Sequence, residues 1–202
     1  MVANQLVPRG IRDARVLAAM QEVPRHEFVP LELRELAYQD RALPIGDGQT
    51  ISQPYIVALM TQAVAVGAGA RVLEIGTGSG DQAAVLAALG AEVFTIEIVP
   101  SLARVAAQTL RRLGYRAHVQ IGDGHRGWPE EAPFDAVLVT AAPDQIPAAL
   151  QAQLSPDDGR LVIPVGDEVQ DLLVVRRFRD HFQEVRIAPV RFVPMTGSAA
   201  AP

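Results

Sequence analysis

The sequence has 202 residues, 49% hydrophobic and 20% charged, which is the size and composition of one ordinary globular domain with a substantial core. Its net charge is −5, and its basic residues are scattered arginines without a single lysine, which disfavours broad binding to a nucleic-acid backbone. The absence of cysteine excludes disulfides and thiolate catalysis, and the four histidines show no ligand spacing, so no metal site is expected.

The first 53 residues are predicted to form an N-terminal extension before the main fold. Their pattern indicates a helix from residue 11 to about residue 23, and the prolines that bound residues 24–30 favour an extended segment after it. The tripeptide Ser-Gln-Pro at 52–54 is expected to open a helix that runs to about residue 66, because proline is tolerated in a first helical turn.

Strand-like and helix-like runs alternate from residue 71 to residue 166. The predicted strands cover residues 72–75, 91–97, 117–121, 134–140 and 161–165, and the predicted helices include 81–90 and 145–154. Such alternation predicts an α/β fold with a doubly wound, mostly parallel sheet. The runs 171–178 and 182–193 leave no room for a crossover helix between them, so we expect a C-terminal antiparallel hairpin.

Three glycines at alternate positions follow the first of these buried strands. Gly76, Gly78 and Gly80 allow a turn with positive φ and no side chain in the way, and the helix after them would point its free amides back at the turn. Strand, glycine turn and helix N-terminus together predict a nucleotide-type pocket. The spacing is G-x-G-x-G rather than the dinucleotide pattern G-x-G-x-x-G, which weakens a pyrophosphate interpretation. A tight turn without a ligand is the structural alternative.

Carboxylates stand at or near the ends of three predicted strands. Glu97 ends the second strand, where an acid can accept hydrogen bonds from both hydroxyls of a ribose. Glu74 precedes the glycines, where its carboxylate could form an ion pair with a cationic group. Asp123 follows the third strand. A solvated strand-end glutamate and a turn aspartate are the ordinary alternatives for Glu97 and Asp123.

The segment Leu-Glu-Ile-Gly-Thr-Gly-Ser-Gly at 73–80 resembles the first motif of the S-adenosylmethionine-dependent methyltransferases with a Rossmann-like sheet. The resemblance implies S-adenosyl-L-methionine as cofactor and S-adenosyl-L-homocysteine as product. It also implies that Asp123 accepts a hydrogen bond from the adenine amino group. The residues expected to bind the cofactor are Glu74, Ile75, Gly76, Thr77, Gly78, Ser79, Gly80, Glu97, Ile98, Asp123 and Gly124.

Three further segments specify the methyl acceptor. They are Gly-Gln-Thr-Ile-Ser-Gln-Pro at 48–54, the Pro-Arg to Val-Pro segment at 24–30 and Phe-Val-Pro-Met-Thr-Gly at 192–197. With these segments the sequence resembles protein-L-isoaspartate (D-aspartate) O-methyltransferases, and the resemblance covers nearly the whole chain. This resemblance implies methylation of the side-branch carboxylate of L-isoaspartyl residues in damaged proteins, as a repair reaction. The methyl ester then closes to a succinimide, which reopens partly as normal aspartate.

By the same resemblance Ser52 is the active-site residue, and its hydroxyl would donate to the acceptor carboxylate. Thr50 and Ile51 would form a wall around the acceptor, with Val193 and Thr196 beside the bound peptide. Helix capping is the alternative role for Ser52, and core packing is the alternative for Ile51 and Val193. A carboxylate acceptor is ionised at neutral pH, so catalysis needs no strong general base.

One position departs from the family pattern, since the residue after Gly80 is often tyrosine in the family and is Asp81 here. One interpretation is that Asp81 complements the helix dipole in the first turn. The other is that its carboxylate alters cofactor affinity or the acceptor pocket.

Two other functions are alternatives to methyl transfer. A nicotinamide-dependent oxidoreductase is disfavoured by the glycine spacing and by the absence of lysine for a Tyr-Lys catalytic pair. A binding module that keeps the pocket without turnover is the non-enzymatic alternative, and Asp81 alone favours it.

The chain is expected to be a single methyltransferase domain acting on isoaspartyl peptides and proteins. We divide it into an extension and acceptor-site segment (1–53), a cofactor-binding core (54–166), a C-terminal hairpin (167–197) and a tail (198–202). We expect a cytoplasmic monomer that binds no nucleic acid. No membrane association is expected, since no apolar run reaches the length that spans a membrane.

Overall fold

A computed structural model describes residues 1–197, so the predicted tail lies outside the described residues. The chain begins with two short helical turns, Val2–Leu6 and Val7–Arg9, and then forms helix α1 (Ala14–Glu22). The helix starts three residues later than predicted, because Asp13 is its N-cap and its side chain accepts a hydrogen bond from the backbone N–H of Arg15.

The segment 24–30 was predicted to be extended, and this was wrong. Residues Arg25–Phe28 form a 3₁₀ turn, and a second one covers Leu31–Leu36. Each turn is preceded by a proline at its N-cap, Pro24 or Pro30, where a missing backbone N–H costs no hydrogen bond. The turn buries Arg25 and Phe28 against the rest of the protein.

A two-stranded hairpin precedes the main fold and was not predicted. Strand β1 (Leu43–Gly46) pairs with β2 (Gln49–Ile51), and the turn residues Asp47 and Gly48 both have positive φ. Asp-Gly is a preferred dipeptide for such a type I′ turn. Helix α2 (Pro54–Val64) follows, with Gln53 as its N-cap.

The remaining elements form the predicted α/β fold. They are β3 (Arg71–Ile75), α3 (Asp81–Ala88), β4 (Glu92–Glu97), α4 (Pro100–Leu113), β5 (Ala117–Ile121), β6 (Ala136–Val139), α5 (Ala148–Ala152), β7 (Asp157–Val165), β8 (Gln170–Phe178) and β9 (His181–Val190). The seven-stranded sheet has the order β5-β4-β3-β6-β7-β8-β9. Strands β3 to β7 are parallel, while β8 is antiparallel to both of its neighbours. The mostly parallel sheet and the C-terminal antiparallel hairpin are thus confirmed.

The sheet has an apolar core on each face, because successive residues of the buried strands point to opposite sides. Val72, Ala136 and Leu138 belong to the core that includes residues of helices α1, α2 and α3. Leu73, Val137 and Val139 belong to the other core, which includes Leu150 of α5. Within residues 1–197 no helix is both long and apolar enough to cross a membrane.

The strand order reverses at β3, which lies between β4 and β6. The chain runs from β3 outward through β4 to β5 and then returns to β6 on the other side of β3. In open α/β sheets, ligands bind beside the carboxyl ends of the strands at such a switch point. The glycine turn at the end of β3 occupies this position.

Candidate active site

The glycine turn after β3 has the conformation that its sequence predicts. Gly76, Gly78 and Gly80 have φ values of 92°, 52° and 91°, and Gly80 is the N-cap of α3. A Cβ at Gly76 would collide with Thr140 Oγ1, the hydroxyl that donates to the Gly76 carbonyl at 2.6 Å. The turn therefore needs glycine for its positive φ and for the close approach of Thr140.

Glu97 holds this turn through its carboxylate. Its Oε2 accepts a hydrogen bond from the Gly78 backbone N–H at 2.8 Å, and its Oε1 accepts one from the Val99 N–H at 3.0 Å. Each oxygen keeps a second lone pair, and the residue lines the cavity described below. The carboxylate is thus fixed in place with acceptor capacity left for a ligand.

Glu74 is buried completely within β3, next to Thr95 of β4 in the strand register. The Thr95 hydroxyl donates to Glu74 Oε2 at 2.6 Å, whereas the buried Oε1 atom accepts no hydrogen bond from residues 1–197. Burial raises the pKa of Glu74 to about 8; the Thr95 hydrogen bond opposes this rise, and the nearby charges of Glu97 and Asp81 add to it. A cation placed at Oε1 would favour the ionised form.

A cavity, which we name the loop cavity, lies between the glycine turn, the end of β2 and the C-terminal segment. All but two of the predicted site residues line it. They are Thr50, Ile51, Ser52, Glu74, Ile75, Gly76, Thr77, Gly78, Ser79, Glu97, Ile98, Gly124, Val193 and Thr196. Ile51 is also a member of the apolar core, as its alternative interpretation predicts, and its role beside the acceptor stays a prediction.

Gly80 and Asp123 are the two predicted residues outside the loop-cavity wall. The Cα of Gly80 faces the side chains of Leu110 and Ala106 on α4, where a Cβ would be tightly packed. The Asp123 carboxylate accepts a hydrogen bond from the backbone N–H of His125 at 3.0 Å, directly beside the cavity residue Gly124.

Ser52 lies between β2 and α2 and is partly buried. The interpretation that it caps α2 is wrong, because the N-cap is Gln53 and, among the described residues, no side chain makes a capping hydrogen bond there. The carbonyl of Ser52 accepts a hydrogen bond from Nη2 of Arg25 at 2.6 Å.

Arg25 is the most important residue that the sequence analysis missed. Its side chain is buried and forms an ion pair with Asp81, with 2.6 Å between Nη1 and Oδ2. Asp81 lies in the first turn of α3, as the dipole interpretation requires, but it also has this specific partner and lines the loop cavity. Burial raises the pKa of the Asp81 carboxyl, and the Arg25 charge opposes the rise.

A second depression, the outer groove, adjoins the loop cavity. Thr50, Ser52, Thr140 and Val193 line both of them. The outer groove also includes Arg9, Tyr55 and Arg191 and is formed by α2 and the end of β9 with the residues after it. Ser52 therefore stands where the two depressions meet.

Several residues of the loop cavity were not predicted as site residues. They are Gln49, Val57, Asp81, Gln82, Ile96, Thr140, Ala141, Pro194 and Met195. Thr140 and Ala141 follow a parallel strand near the switch point, which is a signal that could have found them. Met195 donates its backbone N–H to the Ala142 carbonyl at 2.7 Å, a contact across the fold that no local pattern indicates.

Comparisons with known proteins identify the family to which the chain is similar. The sequence model of the family described as protein-L-isoaspartate(D-aspartate) O-methyltransferase matches residues 1–200. A protein-L-isoaspartate O-methyltransferase of Gloeobacter violaceus is 57% identical over 199 residues, which cover 97% of each chain.

Two solved structures extend the likeness to the fold. One, described as a protein-L-isoaspartate O-methyltransferase, has a TM-score of 0.85 at 30% identity; the match covers 95% of this chain and 63% of that one. The other, from Plasmodium falciparum and described as the same kind of enzyme in complex with S-adenosyl-L-homocysteine, has a TM-score of 0.84 at 25% identity over 96% of each chain. The chain therefore belongs to the protein-L-isoaspartate(D-aspartate) O-methyltransferase family.

Proposed function

We propose that methyl transfer takes place at Ser52, where the loop cavity and the outer groove meet. As a family member, the chain is an S-adenosylmethionine-dependent protein carboxyl O-methyltransferase that methylates L-isoaspartyl residues of damaged proteins for repair. The observation that carries the proposed location is that Ser52 lines both depressions. A donor in one and a peptide in the other would have their reacting groups on the two sides of this residue.

The residues of the loop cavity fit the donor. S-adenosylmethionine supplies, when bound, a methyl group on a cationic sulfur that a carboxylate oxygen can take without any proton transfer. Glu97 would accept hydrogen bonds from the ribose hydroxyls, and Glu74 would accept one from the ammonium of the amino-acid tail. Asp123, beside the cavity residue Gly124 but outside the wall, would accept one from the adenine amino group. The buried Oε1 of Glu74, which accepts no hydrogen bond from the described part of the chain, supports a cationic partner there. The glycine turn would let the donor pack against main chain.

The residues around Ser52 would hold the acceptor. An isoaspartyl carboxylate is ionised at neutral pH, so these residues need only align it and exclude water. The Ser52 hydroxyl would donate to one carboxylate oxygen and leave the other directed at the methyl carbon. Ile51 and Val193 contribute apolar wall, with Thr50 and Thr196 beside them. Because the acceptor loses its negative charge as the ester forms, a wall of low polarity favours the reaction.

The proposal is tested with radiolabelled S-adenosylmethionine and two peptides that differ only in one isoaspartyl or aspartyl residue. We expect base-labile label on the isoaspartyl peptide alone, since its free carboxylate is attached directly to the main chain, whereas that of an aspartyl residue is one methylene group further away. Equal labelling of both peptides, or donor binding without any label, would contradict the function.

We propose further that residues 1–202 act as one methyltransferase domain, a cytoplasmic monomer that needs no nucleic acid. The net charge of −5 supports the last point, and the cavity wall, which combines Ser52 with Thr196, supports the first. Sedimentation of the full chain, alone and with isoaspartyl peptide, tests the oligomeric state.

A further inference from the structure

The loop cavity has two buried carboxylate oxygens that accept no hydrogen bond within residues 1–197. One is Glu74 Oε1, discussed above, and the other is Asp81 Oδ1. A buried carboxylate oxygen without a partner is costly, and in a binding cavity it is an acceptor available to a ligand. The inference below concerns Asp81 and rests on the proposed donor site.

The other oxygen of Asp81 has a fixed partner. Arg25 donates from Nη1 to Asp81 Oδ2 at 2.6 Å, from Nη2 to the Ser52 carbonyl at 2.6 Å and from Nε to the Ala37 carbonyl at 2.8 Å. Arg25 is 1% exposed and Asp81 is 3% exposed. Because three acceptors already hold the guanidinium in place, turning it toward Oδ1 would break contacts that are present.

We propose that Asp81 is an additional donor-binding residue, whose Oδ1 accepts from the ammonium of the donor's amino-acid tail, and that Arg25 is a positioning residue which links this contact to the backbone of Ser52. An ammonium has three N–H donors, so it can serve Glu74 and Asp81 together. Its positive charge balances the Glu74 carboxylate, while Arg25 already balances the Asp81 carboxylate.

The chain of contacts joins two parts of the site that are distant in sequence. Asp81 begins the helix after the glycine turn, and Ser52 stands at the acceptor side, with the Arg25 guanidinium between them. Displacement of Asp81 therefore displaces Ser52 as well. A tyrosine at position 81, frequent in the family, could not make the same charged contact.

Isothermal titration separates an ammonium contact from a purely structural role. The probes are S-adenosylhomocysteine and its analogue with hydrogen in place of the α-amino group, titrated into the wild type, Asp81→Asn, Asp81→Tyr and the control Asp47→Asn on the exposed hairpin turn. We expect Asp81→Asn and Asp81→Tyr to weaken S-adenosylhomocysteine by about 10- to 100-fold and the deaminated analogue by less than about twofold. Asp81→Tyr serves as a second variant because it removes the carboxylate by placing at position 81 the residue that is frequent in the family.

The outcomes distinguish this inference from the function on which it rests. If the variants weaken both ligands equally, or weaken neither, the Asp81 contact is refuted while the donor site stands. If the wild type binds neither ligand, the donor site itself is refuted.

The positioning role of Arg25 has a separate test. Arg25→Lys keeps the charge but cannot reach three acceptors from one planar group. We expect kcat to fall about tenfold, with binding of the deaminated analogue changed by less than about twofold. An unchanged kcat, or a loss of analogue binding in parallel with kcat, would overturn the link to Ser52.

Discussion

Glu74 is a carboxyl group inside a strand, where burial raises its pKa to about 8. In the unfolded chain the group titrates near its ordinary value of about 4.3, so between that value and about 8 only the folded protein keeps the proton. The protonated Glu74 therefore stabilises the folded state. This stabilisation is fully present below the pKa that the group has in the unfolded chain, and it is lost as the pH rises through the pKa that the group has in the folded protein.

We therefore expect the free energy of unfolding of the ligand-free protein to fall as the pH rises from 5 to 8, on the order of a few kcal/mol. Urea unfolding at both pH values measures it. In Glu74→Gln the fall should shrink, because the amide does not titrate, whereas the exposed-site control Glu32→Gln should behave as the wild type. An equal fall in the free energy of unfolding in all three proteins would contradict the assignment of this pH dependence to Glu74.

The same protonation makes donor binding pH-dependent. An ammonium at Oε1 favours the ionised form of Glu74, so binding of S-adenosylhomocysteine at pH 7 should release a proton from this group. Titration calorimetry in buffers of different ionisation enthalpy measures the release. Glu74→Gln should lower it, and an unchanged release would exclude Glu74 as its source.

Ser52→Ala tests the residue at the junction of the two depressions. Loss of the hydroxyl removes the donor that aligns the acceptor carboxylate, so we expect kcat to fall by about 100-fold while donor affinity changes little. Steady-state kinetics and donor titration measure the two effects. The control Ser101→Ala, on the surface of α4, should leave both unchanged. Equal turnover in Ser52→Ala would exclude the proposed role.

Among the individual site residues, the sequence predicted those that carry a local signal. Glu97 ends a strand at the expected register from the glycines, and Ser52 belongs to a distinctive motif. Arg25 and Asp81 are 56 positions apart in the chain. No pattern of spacing indicates such a pair, because only the packing of the 3₁₀ turn brings the two side chains together.

Among the elements, the glycine turn is the one whose shape depends most directly on residue type. Gly76→Ala places a methyl group against Thr140 Oγ1 and forces alanine into positive φ. We expect the free energy of unfolding to fall by about 1–3 kcal/mol, with weaker donor binding. The double variant Gly76→Ala/Thr140→Ala should recover part of the loss, since it removes the collision but not the backbone strain. No recovery would show that φ alone sets the cost.

Sequence reasoning worked best for long apolar strands and poorly for short elements. Strand β5 has the predicted bounds, and the ends of β4 and β8 also agree. The hairpin of β1 and β2 was missed although Asp47-Gly48 was a usable turn signal. The turn at Arg25–Phe28 could not be predicted, because its prolines are compatible with an extended segment and with a helical first turn.

The outer groove is lined by two arginines, Arg9 and Arg191, although the net charge of the molecule is −5. Of its two arginines, Arg9 is paired with Asp40 at 2.6 Å, while Arg191 is exposed. Arg191 is therefore the cation more available to a bound peptide.

We expect Arg191→Gln to raise KM about two- to fivefold for isoaspartyl peptides with acidic neighbours, because an exposed charge pair is worth up to about 1 kcal/mol. The effect should shrink in high salt, which screens exposed charges. Peptide kinetics at two salt concentrations measure it, with Arg104→Gln on α4 as the control. A KM that is unchanged at low salt would show that peptides do not reach Arg191.

For the molecule as a whole, alternation of strands and helices predicted the direction of the parallel strands and the final hairpin. The alternation did not predict the order of the strands in the sheet, because it does not indicate on which side of β3 the chain returns. The combination of Ser52, the glycine turn and Val193 in one cavity wall came from family resemblance rather than from local pattern.

The cavity wall that includes Val193 and Met195 has a consequence for protein synthesis. A ribosome releases the glycine turn long before the segment 193–196, so the parallel core can assemble while this wall is still missing. A nascent chain that stops short of residue 193 contains all nine strands yet lacks the side of the loop cavity that residues 193–196 form. The loop cavity is therefore completed only when this late segment has left the ribosome and paired with Ala142, three residues after the end of β6.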